Sequence, residues 1–149
     1  MNKLFKLSAL IICFSGLFQF CKTQKHTDVN DVYTVMYKNQ NGGKKEKSTI
    51  IITNYEEFNS LIATLTIDEE EYGKLLSIDL EKHNLIAAFM GEKNTGGYDI
   101  DIDKVTFFPT KVEVGFKEIV PEKGAMVTMA FTSPYIFVAV PKNKEIILK

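Results

Sequence analysis

Seven residues, Asn84-Leu85-Ile86-Ala87-Ala88-Phe89-Met90, form an uncharged run of strand length that ends at Gly91. A continuous apolar run this short reads as a central strand buried on both faces, not as one alternating between core and water. Further extended segments follow. Tyr98, Ile100 and Ile102 alternate with Asp99, Asp101 and Asp103, the period of a strand with one wetted face. Residues 112–116, 126–131, 135–140 and 145–148 are the remaining strand candidates. Upstream, Val32, Val35 and Tyr37 lie in a β-rich stretch, Asn39 to Lys45 supplies turn residues, and Ser48 to Thr53 resumes extended structure, a hairpin pattern.

One helix is expected after that hairpin. Asn54 is placed to accept from early helix amides and Glu57 to reach back, while Phe58, Leu61, Ile62 and Leu65 repeat at helical spacing. The helix should end before Asp68. The acidic run Asp68-Glu69-Glu70-Glu71 then reads as a solvated loop. The chain is thus mainly β, of the α+β kind: an antiparallel β-sandwich or partly closed barrel with one helix against the sheet. Its 149 residues suit one domain, placed at 32–149.

The first residues carry an address. Lys3 and Lys6 precede the uncharged stretch Leu7 to Phe20, the pattern of an export signal over 1–20. That stretch is short of the roughly 20 apolar residues of a comfortable bilayer span. Cleavage before Cys21 would leave a lone cysteine at the mature N-terminus, followed by a polar tether over 21–31. A terminal cysteine after a signal resembles the bacterial lipoprotein pattern and implies lipid attachment at Cys21. Phe20 departs from it, since lipoproteins usually carry Gly, Ala or Ser there. The expected location is the bacterial cell envelope, as a membrane-anchored lipoprotein, the alternatives being a secreted or signal-anchored protein.

Charge and composition exclude much chemistry. With 18 basic and 19 acidic residues the net charge is -1, too balanced for nucleic-acid binding driven by counterion release. Every basic residue is Lys, so no guanidinium fork is present for phosphate or carboxylate. Of the two histidines, His26 falls in the tether, leaving His83, with Asp79 four residues upstream, as the lone neutral-range base. No internal cysteine or nucleophile elbow accompanies it, so a structural role is expected and no enzyme. Two histidines without internal cysteine do not make the usual zinc set, and no metal or cofactor is expected. Asp99-x-Asp101-x-Asp103 begins like a calcium loop, but Lys104 stands where Gly must turn the chain and Thr110 where a bidentate Glu is needed. A solvated strand face is the expected reading.

Two segments exceed what a plain β domain needs. Gly96 and Gly97 open unusual backbone conformations within Asn94-Thr95-Gly96-Gly97-Tyr98. Pro134, which has no ladder donor, sets Tyr135 at a kink. Both are either turn chemistry around core tyrosines or adjacent loop tips forming a binding edge. Together with the buried strand before them, Gly91 to Ile100 and Thr132 to Val140 resemble the C-terminal domain of PrcB-like protease complex subunits over roughly 80–142. Asn94 stands where many members have proline, which makes that turn less rigid. The resemblance implies a non-enzymatic lipoprotein that binds and supports an exported partner, such as a surface protease. Its expected contacts are Asn94, Thr95, Gly96, Gly97, Tyr98, Pro134 and Tyr135. Asn94 to Tyr98 also looks like a loosened chagasin-type inhibitor loop, so the alternative is a protease inhibitor presenting the same two loops.

Overall fold

The computed structural model describes residues 32–67 and 69–149. The expected signal over 1–20, Cys21 and the expected tether lie outside the described residues. Nine elements follow in order: β1 (Thr34–Asn39), β2 (Ser48–Ile52), α1 (Tyr55–Ile62), α2 (Glu69–Leu76), β3 (His83–Phe89), β4 (Asp99–Phe107), β5 (Lys111–Ile119), β6 (Tyr135–Pro141) and β7 (Glu145–Leu148). The apolar run is β3, and it pairs antiparallel with β6 along its whole length, from His83 opposite Pro141 to Phe89 opposite Tyr135. These two strands are the centre of a four-stranded sheet ordered β1-β6-β3-β2, and a second sheet is ordered β4-β5-β7.

Side-chain alternation along β3 and β6 divides the interior in two. Leu85, Ala87, Phe89, Tyr135, Phe137 and Ala139 share one buried cluster with Phe58, Leu61 and Ile62 of α1 and Leu75 of α2. Ile86, Ala88, Ile136, Val138 and Val140 share the other with Ile100, Val112 and Val114 of the second sheet. The molecule is therefore layered as helices, sheet, sheet. Both central strands have to be apolar on both faces, each large side chain contributing about 1.5–3 kcal/mol of burial. The architecture is the expected sandwich of two packed open sheets, and neither closes into a barrel. β7 departs from the antiparallel pattern by running parallel to β5. The chain leaves the second sheet after β5, crosses through β6 in the first, and returns pointing the same way.

Three expectations are corrected. The stretches over 32–53 form no hairpin: β1 pairs with β6 and β2 with β3, at opposite edges of the same sheet. The more apolar β3 and β6 occupy the interior positions between them, where both faces are covered. The acidic run is not a loop throughout, because α2 begins at Glu69. Carboxylates are favourable in the first turn of a helix, where free amides and the macrodipole give positive potential. Leu75, with Ile78 and Leu80 just after the helix, is buried against the sheet. The α1 cap forms as expected, Asn54 Oδ1 accepting from Glu57 N–H at 2.9 Å and Glu57 Oε2 accepting from Thr53 N–H at 2.8 Å. Finally, residues 126–131 form no strand and lie in an irregular connection between β5 and β6.

The Asp-x-Asp-x-Asp pattern has a structural use. β4 is an edge strand, and its Ile100 and Ile102 N–H groups donate to Asp99 Oδ1 and Asp101 Oδ1, each at 2.8 Å. Both carboxylates also face Lys38 of β1, at 2.8 and 3.6 Å. Burial opposes charge on Lys38, yet Asp99 and then Asp101 hold its ammonium above the ordinary lysine range. Of the three, only Asp103 is exposed as expected. The first two carboxylates occupy edge donors that another strand would otherwise use, and tie one sheet to the other.

Candidate functional site: three braced loops

Antiparallel pairing brings three connections to one end of the four-stranded sheet: residues 40–47, 90–98 and 120–134. Asn39 and Tyr135 are opposite each other there, as are Ser48 and Phe89. Thr34, where the chain enters the fold, is opposite Ala139 at the other end.

The loops are bonded to one another by main-chain groups. Gly43 N–H donates to the Ser133 carbonyl at 3.2 Å and to Ser133 Oγ at 3.0 Å, while Ser133 N–H donates to the Gln40 carbonyl at 2.9 Å. Glu92 N–H reaches the Lys45 carbonyl at 2.9 Å. Lys93 and Thr132 exchange both main-chain bonds, at 2.7 and 3.0 Å, and Gly96 N–H donates to the Thr128 carbonyl at 2.9 Å. Thr132 Oγ1 adds a bond to the Thr95 carbonyl at 2.8 Å. A Cβ on Gly43 would lie 2.4 Å from the Ser133 carbonyl oxygen, so this crossing admits only glycine without displacement. Gly97 has φ +85°, where a side chain is strained, and a Cβ there would crowd Val127 and Pro121.

The seven expected contact residues divide sharply. Asn94 and Gly97 are exposed, Thr95 and Tyr98 are half-buried, and Gly96 is buried against Thr128. Tyr98 lies beneath Lys93, whose Nζ is 5.7 Å from the ring centroid. Pro134 and Tyr135 are corrected as display residues: both are buried, and Tyr135 is 0% exposed. Its ring stacks on Phe89 at 5.6 Å and meets Tyr37 and Phe137. Burial, followed by the neighbouring Tyr37, pushes the Tyr135 phenol well above the ordinary tyrosine range. This residue anchors the loop from below. The Pro134 carbonyl likewise accepts from Met90 N–H at 2.9 Å.

What the loops do present was missed in the sequence. Val120, Met126, Met129 and Phe131 are 60%, 102%, 90% and 69% exposed. The apolar content of 126–131 resembles a strand, but Pro121, Gly124 and Pro134 bracket it and deny a ladder. Those three residues were the available signal. Exposed apolar groups gathered on one loop mark an interaction surface more often than isolated ones do.

Other groups show no comparable convergence. His83 Nδ1 lies 3.2 Å from the Asp79 carbonyl oxygen and lines a recess of 500 Å³ with Lys82 and Lys142. Among the described residues, no three His, Cys, Asp or Glu side chains are grouped to hold a metal ion. No described helix is long and apolar enough to cross a membrane.

The layered β fold carries the three braced loops at one end of its four-stranded sheet. Residues 85–141 match the family described as PrcB C-terminal. The match lies inside the 80–142 stretch that carries the sequence resemblance, and spans β3 to β6 with two of the three loops. No curated protein and no solved structure matches the chain.

Proposed function

We propose that this protein is a non-enzymatic, exported lipoprotein that acts as an accessory subunit of a protease complex, binding its partner at the three-loop end. The family match over residues 85–141 carries the reading, because it covers the loops of 90–98 and 120–134 and the PrcB-like resemblance implies a protease-complex subunit. The lysine-flanked apolar stretch and Cys21 at its end support export and lipid attachment. Two or more acyl chains would anchor the chain stably, at about 0.8 kcal/mol for each buried CH₂. The inhibitor alternative would present the same loops, and burial withdraws Pro134 and Tyr135 from the contact set of both readings.

The test is co-purification from native membranes with tagged full-length protein, followed by mass spectrometry. A stoichiometric exported protease or its precursor is the expected result. Bait recovered alone would remove the accessory role. Labelled fatty acid incorporated by the wild type and lost in Cys21→Ser would establish the anchor, and substrate turnover abolished by His83→Ala would refute the non-enzymatic assignment.

A further inference from the structure

We infer that the β5–β6 loop is the docking tip, and that Met126, Met129 and Phe131 enter an apolar recess with an acidic rim on an exported protein. The inference rests on the accessory-subunit reading and specifies the contact and the chemistry of the partner.

Three observations converge on it. Met126 and Met129 are the most exposed large apolar side chains of the described residues, and Phe131 follows. Methionine is flexible and polarisable, suited to filling an irregular apolar recess. The loop is also held in place: Thr128 is bonded to Gly96 and Thr132 to Lys93, so main-chain bonds lie within and just beyond the exposed stretch. A tip ordered before contact loses less conformational freedom on binding.

Charge indicates what surrounds the recess. The loops 40–47, 90–98 and 120–134 carry five Lys against three Glu, while the rest of residues 32–149 carries nine Lys against fourteen Asp and Glu. The loops are therefore net positive in an otherwise acidic domain, with Lys47 paired to Glu118 at 2.6 Å. An acidic rim is attracted to this end and repelled elsewhere, which favours one orientation of approach. Position separates a protein from a lipid surface. The chain enters the fold at Thr34, opposite Ala139, whereas the loops follow Asn39 and precede Tyr135. Any anchor before residue 32 joins the domain at the end of the sheet opposite the loops.

The experiment places a photo-cross-linking residue at 126 or 129 of the full-length chain in exporting cells, with Leu76, exposed on α2, as the control position. The expected adduct joins positions 126 and 129, but not 76, to one exported protein, at a peptide that is apolar and flanked by Asp or Glu. Lys45→Glu with Lys123→Glu should lower its yield several-fold. Phe131→Asp should lower it on the order of tenfold, with the thermal unfolding midpoint unchanged. Lipid adducts, adducts of twice the chain's mass, equal labelling from position 76, or yields unaffected by these substitutions would overturn the docking tip. Co-purification separates the two levels. A partner fully retained by Met126→Asp/Met129→Asp/Phe131→Asp refutes the tip and leaves the accessory role standing, whereas no partner with the wild type refutes both.

Discussion

Phe131 and Phe137 are six residues apart in chains of similar apolar character, yet the first is 69% exposed and the second fully buried. The difference lies in the backbone. Phe137 is opposite Ala87 on one side and Tyr37 on the other, so its main-chain groups are satisfied while its ring enters the helix-facing cluster. Phe131 belongs to a stretch that the bracketing prolines keep out of any ladder, flanked by the isolated bridge of Thr132 to Lys93 and the bond from Gly96 to Thr128. Side chains of the same kind are thus sorted by whether their backbone can enter a sheet. The unsorted ones stay exposed at the loop end.

The largest expected effect sets these two phenylalanines directly against each other. Phe137→Ala should destabilise the fold by about 3–5 kcal/mol in urea unfolding, the range for truncating a buried aromatic. Phe131→Ala should stay within about 0.5 kcal/mol of the wild type. Similar losses at both sites would mean that the loop packs against the protein in solution, and the contrast would fail.

A smaller effect concerns what holds the exposed stretch in place. Gly43→Ala forces a methyl against the Ser133 carbonyl and should cost about 1–3 kcal/mol, the usual range for overpacking. Hydrogen exchange at Lys93, Gly96 and Thr132 should quicken with it, since their loops share the same braced end. Exchange that accelerates at Gly43 alone would show the loops to be independent.

The smallest effect belongs to the opposite end of the sheet. Main-chain donation from Thr53 holds the Glu57 carboxyl below its ordinary range, and Lys82 does the same for Asp79. Lys111 lowers Glu113 in the second sheet. A folded-state value below the unfolded one means the stabilisation is complete above the ordinary carboxylate range, about pH 4, and is lost as pH falls through the lowered values. The thermal unfolding midpoint should therefore decline on acidification below that point, and less steeply in Glu57→Gln. An identical slope in the variant would remove the cap from the account.

Much of this fold is legible one segment at a time. The uncharged run at 84–90 indicates a strand covered on both faces, and Asn54 with Glu57 marks the start of α1, because both signals depend on neighbours close in sequence. The second helix is hidden by its length. Glu69 to Leu76 offers one short apolar stripe and Gly73, so its place is decided by Leu75 reaching the sheet. The candidate site was half legible. Gly96, Gly97 and Pro134 correctly mark unusual turns, but no local pattern tells a displayed tyrosine from an anchoring one.

The sequence by itself determined the β-rich class, the doubly buried strand at 84–90, the cap of α1 and the segment that matches the PrcB C-terminal family. Periodicity and turn chemistry act over a few residues and need no knowledge of the partner strand. Tertiary structure alone decided that β1 and β2 occupy opposite edges, that β7 returns parallel to β5, that Tyr135 is interior and that Met126, Met129 and Phe131 are outside. Each of these depends on which strands compete for the centre of a sheet. That competition is settled by burial across the whole chain, where the most apolar pair takes the doubly covered positions and every other segment is arranged around it.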